Sequence, residues 1–238
     1  MSPGPDALPP GQRARADFPR FGIWTYASRF PANVTQRSLE ISGDAVLPFT
    51  LADAMEGLPR VEQVSDLHCV TTWTHRGVRW GGVRFAAWYA AHVAPRVQPD
   101  RLPSTVVLRA QDRGRTVMLL EDLLADDVLL ADELNGAPLT VAHGAPLRLV
   151  APAHYAYKSI KYLSRLEFWH AVPRVRPAAF AFMDHPRARV WREERGRGVP
   201  GVLLRALYRP LIGVTVRVQA RALLAWASSQ TADAGRRP

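Results

Sequence analysis

The chain has 238 residues, of which 47% are hydrophobic and 22% charged, a balance that indicates a folded globular protein with a full core. It contains a single cysteine, Cys69, which excludes an internal disulfide, a CxxC redox pair and a zinc site built from four cysteines. Its apolar runs are too short, or too interrupted by arginine, to predict a membrane-spanning helix. The N-terminal segment lacks the apolar core of a secretory signal or a twin-arginine leader, so we expect a cytoplasmic protein.

The net charge of +10 is concentrated at the C-terminus. Residues 187–238 hold 11 arginines and three acidic residues, whereas residues 1–186 are nearly neutral, with a net charge of +2. This distribution disfavours a nucleic-acid groove built into the fold and indicates a separate basic extension.

The pattern of apolar and turn-forming residues predicts many short strands with few helices, as in a mixed α+β domain. In chain order, the predicted elements are a loose arm over 1–17, a strand and turn over 39–43, a short helix over 51–56, a strand over 61–73 with Cys69 near its end, a helix over 83–92, and strands over 104–108, 128–134, 147–150 and 159–168. The strand over 128–134 precedes Asn135-Gly136, a strong signal for a β-hairpin. We therefore place a domain over 18–186 and a basic apolar extension over 187–238.

The extension contains an apolar stretch over 199–226 with arginines at two pairs of positions spaced i, i+4. Pro210 and Gly213 are expected to break it into two helices. One interpretation is that both helices cover an apolar face of the domain with their arginines solvated. The other is that the extension docks on an anionic membrane face or on an acidic redox partner.

Cys69 allows three interpretations from the residues alone. A free cysteine is often core filler, and a nucleophilic cysteine usually has a histidine as its base. The neighbouring His68 does not suit that role, because adjacent residues of a strand point to opposite faces. The third interpretation is a soft metal held by one thiolate, with the remaining ligands supplied by a cofactor.

Five short motifs follow one another along the chain in a specific order and spacing. They are His68-Cys69-Val70 followed by Trp73, Trp80-Gly81-Gly82-Val83, Asn135-Gly136-x-Pro138-Leu139, His143-Gly144-x-Pro146-x-Arg148 and Lys158-Ser159-Ile160-Lys161. Through them, residues 18–170 resemble the catalytic domain of the sulfite oxidase family of molybdopterin enzymes, especially its bacterial single-domain members. The resemblance implies an α+β, strand-rich molybdopterin-binding domain, in agreement with the predicted elements.

The resemblance also implies the cofactor and the site. In this family, molybdenum is held by the dithiolene of molybdopterin and by one cysteine thiolate, which corresponds here to Cys69. Cys69 is accordingly both the metal ligand and the catalytic residue. The positions that correspond to cofactor-binding residues are Tyr26, His143, Arg148, Lys158, Ser159, Ile160 and Lys161. Nearness in sequence further suggests that the substrate pocket is lined by Trp73, His75, Arg76 and Arg79.

The sequence also departs from the family pattern. Sulfite oxidases proper carry arginines just after the cysteine, whereas this chain has Val70-Thr71-Thr72. Related single-domain sulfoxide reductases carry an asparagine at the position of His143. We therefore predict a molybdenum-dependent oxidoreductase that transfers an oxo group to or from a small sulfite- or sulfoxide-like substrate. A redox partner protein is expected, with peripheral membrane contact through the extension as a further expectation. The alternative is a non-catalytic relic of the fold whose basic tail binds a membrane surface or nucleic acid.

Overall fold

The computed structural model describes residues 7–173 and 184–234, and their strands form two mixed sheets. The first sheet contains β1 (Arg13–Ala14), β4 (Val61–His68), β5 (Trp73–Arg84), β8 (Leu129–Leu134), β9 (Ala137–Pro138) and β10 (Arg148–Val150). The second contains β2 (Leu39–Ser42), β3 (Phe49–Leu51), β6 (Thr105–Ala110), β7 (Arg115–Leu119) and β11 (Leu163–Trp169). The predicted α+β, strand-rich fold class is confirmed.

β5 is the central strand of the first sheet. It pairs with β4 and β8 in antiparallel fashion and, at its first two residues, with β1 in parallel. In the second sheet, the strand order is β3-β2-β11-β6-β7, with only the β2–β11 pair parallel. Part of the predicted loose arm is thus an ordered strand, β1, which lies beside the start of β5.

The hydrophobic core is divided between the two faces of the first sheet. Leu130 and Leu149 point to the larger core, which they share with the second sheet, while Leu129 and Val150 point to the smaller core around Trp80. This alternation follows from the period of two along a strand. The first sheet is therefore covered on both faces.

Four sequence-predicted elements have different bounds in the structure. Residues 51–56 are not a helix: β3 ends at Leu51 after pairing with β2, and the Asp53 carboxylate accepts the Met55 N–H to hold a turn. The predicted strand over 61–73 ends at His68. The predicted helix over 83–92 begins only at Phe85, as α1 (Phe85–Trp88), and continues in a π-helical turn, Tyr89–Val93. The strand predicted from 159 begins at Leu163, because Tyr162 has a φ of 58°.

The C-terminal extension forms two helices after a short loop. These are α3 (Gly201–Tyr208) and α4 (Leu211–Ala234); an earlier short helix, α2 (Leu120–Leu123), follows β7. Pro210 separates α3 from α4 as predicted, but Gly213 lies inside α4 and does not end it. The difference is physical: proline cannot continue the backbone ladder, whereas glycine in a helix costs only about 1 kcal/mol.

The extension packs on the domain through one side of each helix. Leu204 and Tyr208 of α3 and Thr215 and Gln219 of α4 are buried, and Trp226 stacks on Phe30 with ring centroids 5.2 Å apart. The inner sides of α3 and α4 thus belong to the fold. Among the described residues, no helix combines the length and the apolarity needed to cross a bilayer.

Candidate functional site

Cys69 occupies the first position of the tight turn that joins β4 to β5. Its N–H donates to the Trp73 carbonyl at 2.8 Å, and its carbonyl accepts the Thr72 N–H at 3.1 Å. Thr72 has a φ of 84°, a left-handed conformation that reverses the chain. The Cys69 side chain is buried, with Sγ 3.1 Å from the Thr71 hydroxyl. The turn therefore fixes the thiol at the end of the central hairpin.

Two side chains from outside the hairpin hold this turn. The Gln12 amide donates to the Cys69 carbonyl at 3.0 Å, and its oxygen accepts from the Thr74 hydroxyl at 3.2 Å. From the C-terminal extension, Arg195 donates to the Val70 carbonyl at 2.6 Å. Arg195 also donates to the Pro10 carbonyl at 2.9 Å and is fully buried. Both ends of the chain therefore brace the segment that carries the thiol.

The electrostatic environment of the thiol combines burial with positive charge. Burial raises the pKa of Cys69, and the hydrogen bond from Thr71 and the charges of Arg195 and Arg15 oppose that rise. The neighbouring His68 is not a base for the thiol: its Nδ1 contacts the Thr74 hydroxyl at 2.9 Å, and burial lowers its pKa to about 4. Burial thus disfavours the thiolate form that binds a metal, and the groups that oppose this effect are a hydroxyl and two cations rather than a histidine.

Arg148 and Lys161 converge on Gly144. Arg148 begins β10, and in the described part of the chain its buried guanidinium donates to three carbonyls: His143 at 2.8 Å, Ser159 at 3.1 Å and Leu149 at 3.3 Å. The Lys161 ammonium donates to the Phe21 carbonyl at 3.2 Å. Gly144 has a φ of 110°, and a Cβ there would lie 3.0 Å from Cγ of Lys161 and 3.2 Å from Cβ of Arg148. The glycine lets the two cationic side chains approach each other.

We call Arg20, Arg148 and Lys161 the cationic cluster. Burial lowers the pKa of Lys161 to about 7, helped by the charges of Arg148 and Arg20 and opposed by Asp112 and Cys69. Arg20 is buried, its two terminal nitrogens donate to the Ala27 and Arg29 carbonyls, and its Nε finds no hydrogen-bond partner among the residues that the structure describes. Within the described ranges, no member of the cluster makes an ion pair with a carboxylate. Buried cations without a counter-ion indicate an anion-binding site.

His143 lies at the edge of this cluster, at the end of a 3-10 turn, Val141–His143. Its ring is 4.3 Å from that of Phe18, which in turn stacks on His75 at 4.7 Å. Burial and the charges of Arg148 and Lys161 lower the pKa of His143 to about 4. His143 is therefore neutral beside the cluster, so its ring nitrogens can serve one as donor and the other as acceptor.

The remaining cofactor positions predicted from the sequence are placed differently. The Ser159 hydroxyl accepts the Ala151 N–H at 3.0 Å and its carbonyl holds Arg148, while Ile160 packs into the larger core. The ammonium of Lys158 is buried, but it donates to the Val117 carbonyl and the Asp184 carboxylate at 2.8 and 3.0 Å. Lys158 is thus already paired with an acid and is not gathered with Arg148 and Lys161.

Tyr26 lies on a 3-10 turn, Trp24–Tyr26. The Arg20 guanidinium donates to the carbonyl of Ala27, the residue that follows this turn. Its half-buried ring is covered by the Arg29 guanidinium, 3.9 Å from the ring centroid. Tyr26 therefore shares a segment with the cationic cluster, while its side chain faces Arg29.

The residues predicted to line a substrate pocket fall on β5. Trp73 is buried, its indole N–H has no hydrogen-bond partner, and its ring meets Phe21 edge-on at 5.4 Å. Arg76 and Arg79 instead lie on the exposed end of the hairpin, facing Asp66 at 3.7 Å and Glu62 at 3.6 Å. Trp73 thus lies beside the Cys69 turn and His75 packs on Phe18 next to His143, while the two arginines lie at the exposed end of the hairpin.

In the described part of the chain, no three His, Cys, Asp or Glu side chains converge in a way that could hold a metal ion. A metal bound at Cys69 would therefore take its other ligands from a cofactor.

Sequence reasoning missed Gln12, Arg20 and Arg195. For Arg20, the signal is its position in the segment that precedes Tyr26, whereas Arg195 is indistinguishable by sequence from the solvated arginines around it.

Comparison with known proteins identifies the fold and its relatives. A sequence profile of the oxidoreductase molybdopterin binding domain matches residues 28–174. The chain is 34% identical over 162 residues to the uncharacterized oxidoreductase YuiH of Bacillus subtilis, covering 68% of this chain and 78% of the relative. It is 29% identical over 189 residues to the protein-methionine-sulfoxide reductase catalytic subunit MsrP of Xanthomonas campestris. That match covers 69% of this chain and 57% of the relative.

A solved structure has the same fold. The sulfane dehydrogenase SoxCD from Paracoccus pantotrophus matches with a TM-score of 0.54 and 20% sequence identity. The match covers 68% of this chain and 46% of the SoxCD chain. The α+β arrangement described above is therefore shared with a larger protein.

Proposed function

The chain belongs to the sulfite oxidase family of molybdopterin-dependent oxidoreductases, and on that basis we propose that it reduces a small sulfoxide with Cys69 as the protein ligand of molybdenum. Membership makes it an enzyme whose cofactor is molybdopterin with molybdenum. The predicted family, enzyme class and cofactor are confirmed. The alternative of a non-catalytic relic gains no support from these relatives.

The residues present suit this cofactor. A molybdopterin ends in a phosphate, and the cationic cluster offers largely buried positive charge that makes no ion pair with a carboxylate among the described residues. Two buried donors near the site, Nε of Arg20 and the indole N–H of Trp73, have no hydrogen-bond partner among the described residues and are open to an acceptor. The cationic cluster, whose members make no ion pair with a carboxylate in the described ranges, is the observation that carries the cofactor assignment.

Each side chain then has a distinct role. Arg148 and Lys161 would hold the phosphate, Arg148 through its planar fork and Lys161 as a point charge. His143 would bind the cofactor as a neutral imidazole, and Ser159 would position Arg148 through its carbonyl. We retain Tyr26 and Ile160 as contacts through their backbone segments. Lys158 is the weakest of the proposed contacts, since Asp184 already neutralises it.

When bound, molybdenum supplies the two-electron redox change and the oxygen-atom transfer. The Cys69 thiolate would hold the metal, and the cationic cluster would hold the phosphate of the cofactor. Overall, the sulfoxide takes up two electrons and two protons and yields a thioether and water. The electrons must come from a donor outside the site, so we also propose a redox partner protein.

A sulfoxide suits the residues directly after Cys69 better than sulfite does. The residues that follow the cysteine supply buried hydroxyls, Thr71 and Thr72, and no cation to bind a doubly charged anion. The relative from Xanthomonas campestris, whose printed name states sulfoxide reduction, matches over two thirds of this chain. Reduced-dye assays with methyl sulfoxides, sulfite and N-oxides test the substrate class. Turnover of sulfite with none of sulfoxides would contradict it.

The cofactor site is tested by retention of molybdenum after purification from a cofactor-competent host. Arg148→Met and Lys161→Met should each lower molybdenum and pterin per chain, because a buried phosphate loses a cationic partner. Arg165→Met is the matched control, since Arg165 is exposed on β11 and pairs with Glu40. Full molybdenum in both cluster variants would refute the proposed phosphate site.

A further inference from the structure

The outward side of α3 is apolar and exposed. Val202, Leu203 and Leu207 are 61%, 62% and 56% exposed, whereas Leu204 and Tyr208 on the opposite side are buried in the domain. Three large aliphatic side chains within six residues are therefore presented to the surroundings. Isolated exposed aliphatic residues are ordinary on protein surfaces, but a cluster of them marks an interaction surface.

Positive charge surrounds this aliphatic cluster. Between Glu194 and Asp233, the sequence holds six arginines and no acidic residue. Arg195 and Arg205 both form ion pairs with Glu193 and so contribute to the fold. Arg209, Arg217 and Arg221 are exposed, and within residues 7–173 and 184–234 none of the three meets a carboxylate. The outward sides of α3 and the first half of α4 thus combine exposed arginines with exposed aliphatic residues.

A partly exposed indole lies at the edge of α4, where the helix packs on the domain. The indole N–H of Trp24 donates to the Thr215 hydroxyl at 2.7 Å, which fastens this turn to the side of α4. Trp24 nevertheless remains 46% exposed, and Ile23 and Val214 are exposed beside it. An indole anchored at its polar edge and open at its ring suits the boundary between water and lipid headgroups.

We propose that the outward sides of α3 and α4, together with Trp24, form a docking surface for an anionic lipid membrane. Aliphatic side chains would enter the headgroup layer while the arginines meet lipid phosphates, as in interfacial amphipathic helices. Arg209 follows the last residue of α3, and Arg217 and Arg221 lie about 6 Å apart along α4 at 1.5 Å per residue. A lipid layer provides negative charge at every such position, whereas an acidic protein would have to match their spacing. Attachment by this surface leaves the bulk of the domain in water.

The first test measures binding of the purified, cofactor-loaded full chain to vesicles by flotation. Vesicles containing phosphatidylglycerol should bind the protein, and vesicles of phosphatidylcholine alone should bind far less. Each arginine near an anionic bilayer contributes about fivefold in affinity. Arg209→Gln, Arg217→Gln and Arg221→Gln combined should therefore weaken binding about a hundredfold. Equal binding by this variant and the parent protein would overturn the proposal.

The second test separates the aliphatic contribution from simple charge attraction. Val202→Ser, Leu203→Ser and Leu207→Ser combined should abolish the binding that persists in high salt, where charge attraction is screened. The matched control is Leu47→Ser with Leu102→Ser, which changes exposed aliphatic residues elsewhere. Both variants should keep the parent's molybdenum content and dye-coupled activity.

Other occupants of this surface give different results. If light scattering shows a dimer that the aliphatic variant converts to monomers, the surface is an interface between copies of the chain, and the proposal is overturned. Binding of duplex DNA or RNA that depends on the arginines, without binding to anionic vesicles, also overturns it.

Discussion

Replacement of Arg195 by methionine tests how far the C-terminal extension contributes to the thiol site. The guanidinium is fully buried and joins the Val70 carbonyl, the Pro10 carbonyl and the Glu193 carboxylate, 2.6, 2.9 and 3.1 Å away. Methionine leaves both carbonyls without this donor. Breaking a buried ion pair typically costs about 3–5 kcal/mol.

The consequence is large enough to measure by calorimetry. In a chain of this size, 1 kcal/mol corresponds to about 2–4 °C, so we expect the Tm of Arg195→Met to fall by about 6–20 °C. The Cys69 turn should loosen as well, because Arg195 binds the residue next to the thiol. Alkylation of Cys69 in cofactor-free protein should therefore be faster in the variant at temperatures where it is still folded.

Arg205→Met is the matched control. Arg205 pairs with the same Glu193 but is partly exposed and makes no contact with the Cys69 turn, so its loss should cost less and leave alkylation unchanged. If Arg195→Met melts within about 2 °C of the parent and its thiol reacts at the parent rate, the bracing role is refuted.

Three further predictions follow from the same geometry. The pKa of Lys161 is about 7 in the folded protein and about 10.5 in an unfolded chain, so the unfolded state binds more protons between these pH values. In urea titrations of cofactor-free protein, the free energy of unfolding should therefore rise with pH across this window, by up to about 1.4 kcal/mol per pH unit relative to Lys161→Met. Parallel pH profiles of the two proteins would contradict this. Because the pKa of His143 is about 4 in the folded protein, this residue should lower the free energy of unfolding as the pH falls from about 6.5 to 4. His143→Gln should make this decrease smaller in the same titrations, and an unchanged slope would contradict the prediction. Gly144→Ala should destabilise the protein by about 1–3 kcal/mol and lower its molybdenum content, whereas Gly57→Ala, with a positive φ but open space around it, should lower stability alone; equal molybdenum in the two variants would argue against a special role for Gly144.

The sequence predicted strands that are bounded by short turn motifs. Asn135-Gly136 forms the predicted hairpin between β8 and β9, with both residues at positive φ, because few other residue pairs adopt that turn without strain. The strand over Trp73–Arg84 was not predicted, because its arginines and glycines are not typical of a central strand. Its stability comes from pairing with β4 and β8, which no local pattern records.

The candidate site shows the same division. Cys69, Arg148 and Lys161 were found through motif resemblance, and the structure gathers the two cations around Gly144. Lys158 shares a motif with Lys161, yet its ammonium pairs with the partly exposed carboxylate of Asp184, 26 residues away, and not with the cationic cluster. Arg195 lies 125 residues from its partner Val70 in the sequence. Contacts at such separations depend on the tertiary fold and leave no periodic trace in the sequence.

Sulfur coordination of molybdenum tests the central claim, that the Cys69 thiolate is the protein ligand of the bound metal. X-ray absorption at the molybdenum edge should be recorded on the loaded parent protein and on Cys69→Ser, with metal content measured in parallel. We expect the variant to keep its fold, lose activity and show one sulfur scatterer fewer per molybdenum, because a hydroxyl is a harder and weaker ligand than a thiolate. An identical sulfur count in the two proteins, with turnover retained, would contradict the account.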